Sequence, residues 1–352
     1  MSQSKTAVPA PAAPAVPGHA LATRLGPLSG LTWIALALVV AFGLSLFVGR
    51  YPGSVLLSPR RLLADELAQR LVWNLRLPRL LTALMLGMSL SAAGCVFQML
   101  FGNPLVEPGF LGVSQGAAFG AALSIVCLGS AAWLVQGLAA LFALLGLALS
   151  FLLARRTRFG GWVLRLVLAG IAVSALFSAG VGVLKYVADP LRQLPEITFW
   201  LLGTLSSITW AQARSITPVV LVALVVMYRM RWRLNLLSLD DVTAFSLGVA
   251  PGRERALLLT AAAAATAAVV SVSGMVGWIG LIVPHMARRL FGADARYALP
   301  AAMCMGGLFA VLCDDMARTL LAGEIPLGIL TSLFGALFFL AMLATRNIRA
   351  ER

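Results

Sequence analysis

"LVWNLRLPRLLTALMLGMSLSAAG" occupies residues 71–94 and joins a charged entry to a long apolar run. Arg76 and Arg79 stand at that entry with a proline between them. A helix needs about 20 predominantly apolar residues to cross a bilayer, so the stretch predicts a membrane helix. Arginine at the end of such a helix usually marks the cytoplasmic side. If these two arginines lie outside instead, something on that side should bind them.

The composition extends this prediction to the whole chain. Of its 352 residues, 60% are hydrophobic and only 11% are charged. A soluble protein of this length needs far more polar surface, so we expect an all-α, polytopic membrane protein. The length needed to cross a bilayer gives about ten transmembrane helices. Their expected positions are near 31–49, 78–100, 109–129, 132–154, 163–187, 213–230, 256–274, 276–290, 299–321 and 327–345.

The formal net charge of +14 does not indicate a nucleic-acid partner here. The arginines lie in short loops, where they act as signals of membrane topology. The four cysteines fall in apolar spans without CxxC spacing, which is typical of packing residues and not of a metal site or disulfides. These cysteines are Cys95, Cys127, Cys304 and Cys313.

The distribution of basic residues favours cytoplasmic N- and C-termini. With this orientation, seventeen Lys and Arg residues fall inside and ten fall outside, in keeping with the positive-inside rule. Six of the outer ones crowd between Arg50 and Arg79. Snorkelling to lipid phosphates explains such arginines, and so does a cationic docking face for an acidic partner. Charge alone leaves both interpretations open.

An energy source for transport is missing from the chain. It has no GxxxxGK[ST] phosphate loop, so ATP-driven transport would need another chain to hydrolyse ATP. Ion-coupled transport would need ionisable groups deep in the membrane, for which Asp314, Asp315 and His285 are the candidates. Asp314 and Arg318 are four residues apart, a spacing that permits an ion pair on one helix face. No serine or cysteine stands in a recognisable catalytic pattern, so we do not expect an enzyme.

Two predicted spans are interrupted by glycine and proline, at 101–123 and 273–289. Such breaks persist at membrane depth only where protein or a water-filled cavity receives the freed backbone groups. Gly112, Gly116 and Gly120 also fit close helix packing through small residues. A translocation path needs both tightly packed walls and non-helical gates, so the two interpretations are compatible.

The inner loop "RMRWRLNLLSLDDVTAFSLGVAPGRERA", residues 229–256, contains a short amphipathic stretch. Asp240 or Asp241 can cap a helix there, and Gly248 can end it. A membrane-surface helix is one interpretation, and a helix inserted into a groove of a partner protein is the other. We favour the partner because the stretch holds two acids. Its predicted apolar side consists of Leu239, Val242, Ala244, Phe245 and Leu247.

Six segments together resemble the FecCD family, the permease subunits of type II ABC importers for iron–siderophores, haem and vitamin B12. The resemblance covers about residues 30–346. The segments, in the order of the family, are "RLPRLLTALMLGMSLSAAG", "NPLVEPGFLGVSQGAAFGAAL", "FWLLGTLSSITW", "LDDVTAFSLGV", "GWIGLIVPHMARR" and "DDMARTLLAGEIPLG".

The resemblance implies a permease homodimer in the bacterial inner membrane. It also implies two copies of a separate ATPase that binds ATP and Mg, and a periplasmic substrate-binding protein, with no cofactor on this chain. The expected domains are a disordered cytoplasmic tail at 1–29, a transmembrane permease domain at 30–346 with a coupling loop at about 235–252, and a cytoplasmic tail at 347–352.

Three sets of site residues follow from the resemblance. Arg76, Arg79 and Arg318 match arginines that meet glutamates on the binding protein in the vitamin B12 importer, which favours docking over lipid anchoring. The loop of Asn103, Pro104 and Leu105 matches the cytoplasmic gate, with the proline fixing the turn. The helix that contacts the ATPase is matched by Asp240, Asp241, Ala244, Phe245, Leu247 and Gly248.

The cargo is the least defined feature. Residues 184–203 should line the outer vestibule, where Arg192 could attract carboxylates and Tyr186 could stack on a flat ligand. We expect an iron chelate, haem or a ferric siderophore. Vitamin B12, an oxyanion and, outside the family, ion-coupled secondary transport are the alternatives. A second gate after the fourth helix cannot be assigned to residues, and Asp315 departs from the family pattern.

Overall fold

The computed structural model describes residues 27–50, 56–321 and 323–350. Within these ranges the chain is helical and has no strand, apart from one isolated bridge between Val48 and Leu56. The helices are α1 Pro27–Ser45, α2 Pro59–Ala64, α3 Glu66–Leu71, α4 Leu77–Leu100, α5 Val113–Leu123, α6 Ala132–Arg156, α7 Trp162–Val187, α8 Gln193–Leu202, α9 Trp210–Arg229, α10 Arg231–Leu237, α11 Asp241–Ser246, α12 Pro251–Ser273, α13 Ile279–Phe291, α14 Ala295–Thr319 and α15 Leu327–Ala350.

The predicted all-α, polytopic membrane fold is confirmed. In the described ranges, seven helices are long and apolar enough to cross a membrane. Shorter apolar helices occupy Val113–Leu128 and Leu327–Met342, and the 13-residue α13 lies between α12 and α14. The predicted tail at 1–29 lies outside the described residues except for 27–29, where α1 already begins. At the other end α15 continues past residue 346 to Ala350.

Helix α4 forms the centre of the bundle. It continues α3 through a π-helical turn, Val72–Arg76. In the apolar stretch of this continuous helix 83% of the residues are buried, whereas only 6% are buried in the apolar stretch of α1. A Cβ atom at Gly87 would stand 2.0 Å from the Gly306 carbonyl oxygen of α14, and one at Gly94 would stand 1.8 Å from the Gly280 oxygen of α13. Small residues allow membrane helices to approach to backbone contact in this way. Helix α4 therefore joins α13 and α14 into one closely packed unit.

A second seam of small residues joins α5 to α6. A Cβ at Gly116 would lie 2.2 Å from the Phe142 oxygen, and one at Gly120 would lie 2.2 Å from the Leu138 oxygen. Gly112, which precedes α5, has a φ of +80°, a conformation that glycine adopts without strain. The glycines at four-residue spacing therefore serve close packing, as one of the two interpretations predicted.

The predicted break at 273–289 is also present. Helix α12 ends at Ser273 and α13 begins at Ile279, and the Thr204 N–H donates a 2.8 Å hydrogen bond to the freed Ser273 carbonyl. Trp278 is the one non-glycine residue with positive φ (+71°) in the described ranges. Protein groups from the chain after α8 thus receive the backbone of the break, as required at membrane depth.

The molecule has two ends, which the course of α14 defines. Asp294, just before α14, accepts a 2.7 Å hydrogen bond from Asn235 of α10, and Arg318 lies near its other end. The 25 residues of α14 span about 37 Å. We call these the α11 end and the arginine end. Helix α4 starts at the arginine end, so the loop at 101–112 lies towards the α11 end.

Replacing Gly94 with alanine should destabilise the bundle, because the new methyl group would overlap the Gly280 carbonyl. Overpacking of this kind costs roughly 1–3 kcal/mol. We expect Gly94→Ala to lower the midpoint of thermal unfolding of the purified protein. Gly137→Ala is the matched control: it lies in α6 with open space around it and should be neutral or stabilising. Equal midpoints for the two variants would contradict the packing argument.

Candidate functional site

The three arginines matched to docking are buried in this chain. Arg76, Arg79 and Arg318 are only 5%, 7% and 8% exposed. Their guanidinium groups point into the arginine end, where acids and backbone carbonyls surround them. The sequence analysis grouped these three arginines, and the structure does bring them together. It expected them on an exposed docking surface, however, whereas they are buried inside the chain. Their docking role stays a prediction.

Arg79 lies between two carboxylates. Its Nε donates a 2.8 Å hydrogen bond to Asp314 Oδ1, and its Nη1 donates to both oxygens of Glu324 at 2.9 and 2.8 Å. Asp314 is fully buried, whereas the side chain of Glu324 is 44% exposed. Sequence reasoning missed Glu324, although an acid inside the otherwise apolar "LLAGEIPLG" segment was a usable signal.

Arg318 connects α14 to α1. It pairs with Asp314 at 3.1 Å, which confirms the predicted ion pair, and also with Asp315. Asp315 accepts a hydrogen bond from the hydroxyl of Ser45, the last residue of α1. Asp315, which departs from the family pattern, therefore pairs with Arg318 of α14 and with Ser45 of α1. Asp314 and Asp315 are both engaged with arginines, which weakens their candidacy as ion-coupling groups.

The same cluster holds the turn that follows α1. Arg76 donates hydrogen bonds to the Leu46 oxygen at 2.9 Å and the Gly49 oxygen at 3.3 Å. Arg318 Nη1 donates to the Val48 oxygen at 3.0 Å. Two arginines from different helices thus satisfy three carbonyls of one turn, and the cluster fastens α1 to α4 and α14.

The predicted gate loop follows α4 directly. Asn103, Pro104 and Leu105 are exposed, and the Asn103 side chain accepts a 2.9 Å hydrogen bond from the Leu105 N–H. The Asn103 N–H donates to the Gln98 oxygen of α4 at 3.1 Å. A cavity of about 220 Å³ lies between Pro104, Leu105 and residues of α13 and α15, with His285 in its lining. The loop is therefore positioned where a movement of α13 would reach it.

Glu107 lies just past the gate loop and was missed by the sequence reasoning. It lines two cavities, of about 270 and 640 Å³. Among the described residues that line these cavities, Glu107 is the only ionisable one. The backbone N–H of Trp278, at the start of α13, lies near its carboxylate and can interact with it. An acid inside an interrupted apolar segment was the available signal. Glu107 thus connects the loop at 101–112 to the strained residue of the break.

Helix α11 forms as predicted. Asp240 caps it by accepting a 3.0 Å hydrogen bond from the Thr243 N–H, and Gly248 follows it with a φ of +81°. Hydrogen bonds from Thr243 hold the pKa of the Asp240 carboxyl below its usual value. Val242 and Phe245 are 80% and 73% exposed, so the helix presents apolar side chains outward.

Two details of the α11 prediction need correction. Ala244 was expected on the exposed apolar side but is fully buried, because the helical repeat turns it toward the protein. The two acids were interpreted as a sign of a partner protein. Asp240 is a helix cap, and Asp241 forms an ion pair with Arg255 of α12. Both acids therefore have roles within the chain, and the exposed apolar residues carry the argument for a partner.

Tyr186 lies in the last turn of α7 and Arg192 lies just before α8, and both are exposed. The intervening loop is organised by Asp189, which accepts hydrogen bonds from the backbone N–H groups of Leu191 and Arg192 at 2.8 and 2.9 Å. The two candidate vestibule residues do not line the cavities beside Glu107. The structure therefore does not bring them together with the gate.

Apolar helices of membrane-spanning length, with broken helices around internal cavities, define a polytopic membrane protein. Residues 37–345 match the model of the FecCD transport family, and the chain belongs to this family. It is 39% identical to the molybdate import system permease protein MolB of Haemophilus influenzae, over 89% of this chain and 93% of that protein. It is 41% identical to the hemin transport system permease protein HmuU of Yersinia pestis, over 76% and 82%.

A solved structure extends the similarity to the fold. It shows an inward-facing conformation of "a putative metal-chelate type ABC transporter", with a TM-score of 0.83 and 38% identity, covering 90% of this chain and 98% of that one. This chain is therefore a transmembrane permease of the ABC importer type. The relatives differ in the cargo that their names state, so membership of the family leaves the cargo open.

Removing Asp314 should strongly destabilise the arginine cluster. Asp314→Ala would leave Arg79 and Arg318 buried with less compensating charge, and breaking a buried pair costs about 3–5 kcal/mol. Thermal unfolding of the purified protein measures the loss. The control is Glu66→Ala, which removes an exposed pair with Arg70 and should cost less than about 1 kcal/mol. A small effect in both variants would show that the buried pair contributes little.

Proposed function

We propose that this permease imports an iron chelate, haem or a ferric siderophore, from the periplasm to the cytoplasm. The observation that carries the transport role is the run of cavities between the loop at 101–112 and the broken α12–α13 segment. These cavities have predominantly apolar linings, as cargo-binding sites commonly do. The similarity to a hemin permease and to a metal-chelate type transporter supports an iron chelate.

The proposed assembly is the one that the family implies. Two copies of this chain would form the pathway in the bacterial inner membrane, with both termini in the cytoplasm. Two copies of a separate ATPase would bind ATP and Mg and drive transport, and a periplasmic protein would deliver the cargo. The absence of a phosphate loop from this sequence supports a separate ATPase.

The α11 helix is the proposed contact with the ATPase. Its exposed Val242 and Phe245, with the following Leu247, form an apolar face that a groove on a partner can bury. The ion pair between Asp241, the first residue of α11, and Arg255 holds this helix against α12. A push on this face would therefore reach α12 and the break at its far end. Asn103, Pro104 and Leu105 would close the cytoplasmic side.

The burial of the arginines refines the docking proposal. A carboxylate of the binding protein cannot easily displace Asp314, because this residue is fully buried between Arg79 and Arg318. Glu324 is the partner with solvent access. Docking would therefore act by sharing or replacing Glu324 at Arg79, near the surface. Tyr186 and Arg192 would contact the cargo as it leaves the binding protein.

Uptake by the reconstituted complex tests the cargo. We expect proteoliposomes that contain the permease, its ATPase and its binding protein to accumulate haem or a ferric siderophore only when ATP is supplied. Molybdate is the second candidate, favoured by the similarity to MolB over 89% of this chain, and vitamin B12 completes the comparison. If the complex takes up molybdate or vitamin B12 but neither haem nor a ferric siderophore, the proposed cargo is refuted. Uptake without ATP would refute the importer itself.

Charges on the exposed face of α11 should weaken ATPase binding. Phe245→Glu and Leu247→Glu each place a carboxylate in the proposed interface, where loss of an apolar anchor costs about 2 kcal/mol or more. We expect at least roughly a tenfold loss of ATPase co-purification, with the permease still folded. Leu191→Glu, at an exposed apolar residue of the α7–α8 loop, is the control. Undiminished co-purification would leave α11 as a membrane-surface helix.

A further inference from the structure

A cavity of about 420 Å³ lies at the α11 end, separate from the cavities beside the gate. The end of α6, the starts of α7 and α12, and Asp241 of α11 surround it. Because α6 ends and α7 begins there, it lies at the level of the membrane–water interface. The ion pair between Asp241 and Arg255 borders this space, but neither the gate loop nor the arginine cluster uses it.

The lining of this cavity is strongly cationic. Arg155, Arg165 and Arg255 contribute three positive charges, and Asp241 contributes the one negative charge. Helices α7 and α12 both begin at the cavity, and neither N-cap residue supplies a side-chain cap, although Glu254 accepts a 3.3 Å hydrogen bond from the N–H of Ala250, the N-cap residue of α12. Helix N-termini carry partial positive charge, so they add to the field of the arginines. The cavity is therefore suited to an anion.

Arg255 is the buried anchor of this site. It is 8% exposed and pairs through Nη1 with Asp241 and through Nη2 with the Leu237 oxygen at 2.9 Å. Its guanidinium group lies over the Trp162 ring, 5.6 Å from the centroid. Its Nε, however, is buried and has no hydrogen-bond partner among the described residues. Buried donors in native proteins nearly always have a partner, so this one calls for an acceptor.

Arg165 also has a buried donor without a hydrogen-bond partner among the described residues. Its Nη1 donates a 2.8 Å hydrogen bond to the Thr157 oxygen, which fixes the side chain, but its buried Nε is also without a hydrogen-bond partner in the described part of the chain. Two fixed arginines that line one cavity thus each retain an unused donor. Arginine binds the oxygens of phosphate groups especially well, because its planar donors match their geometry.

The geometry points to a binding site for a phosphate-bearing anion in this cavity. The anion is the headgroup of an acidic phospholipid or free phosphate, since both present the same oxygens. Basic cavities between transmembrane helices at the membrane interface take up anionic lipid headgroups. Arg255 also fastens α11 through Asp241, so the bound anion would link the base of α11 to α6 and α7.

Native mass spectrometry of the purified permease–ATPase complex tests this site. The probes are phosphatidylglycerol, with phosphatidylcholine as the neutral comparison, and inorganic phosphate is followed in parallel by the thermal shift that it produces. Arg165→Gln should weaken binding of the effective anion at least about tenfold, as expected for loss of a hydrogen bond to a charged group. Arg156→Gln, an exposed neighbour of Arg155 that does not line the cavity, is the matched control.

The outcomes separate the two sources. Phosphatidylglycerol binding that is lost only in Arg165→Gln identifies a lipid headgroup, and a phosphate-induced shift lost only in that variant identifies free phosphate. If Arg165→Gln does not fold, Arg155→Gln replaces it, because Arg155 also lines the cavity. Binding of neither anion, or equal losses in the cavity and control variants, would overturn the site.

Discussion

The backbone contact of α4 with α13 and α14 is the constraint on which the rest of the structure depends. Gly94 and Gly87 let α4 approach carbonyl groups of its neighbours to distances that no side chain would permit. Lipid tails are as apolar as leucine, so helices in a bilayer associate through packing and polar contacts. Because α4 starts at the arginine cluster and ends at the gate loop, this unit mechanically connects the two ends of the molecule.

The arginine cluster changes how the charge at this end of the molecule is counted. Arg76, Arg79 and Arg318 carry three positive charges, and Asp314, Asp315 and Glu324 supply three negative ones beside them. The cluster is close to neutral as a whole, so it places little net charge on its side of the membrane. An arginine count treats these residues as free cations and therefore overstates the charge at this end.

Local patterns in the sequence predicted local structure well. A membrane-spanning helix requires only sufficient length and apolar character. The N-terminal cap of α11 at Asp240 and its end before Gly248 depend on residues within the same ten positions. Contacts between distant residues were not predictable in this way. Arg79 and Glu324 are 245 positions apart, and nothing near either residue indicates the other. The burial of Ala244 and of the arginines likewise depends on which helices become neighbours.

The break before α13 shows how the gate and the pathway can be linked physically. Glu107 follows Leu105 by two residues, and its carboxylate lies near the backbone N–H of Trp278. Trp278 has a positive φ, which residues with a side chain rarely adopt. A displacement of the gate loop that carried Glu107 away would leave a largely enclosed carboxylate and an N–H group without partners. Leaving such groups unpaired is costly. Either α13 moves together with the loop, or water enters the cavities as the loop leaves.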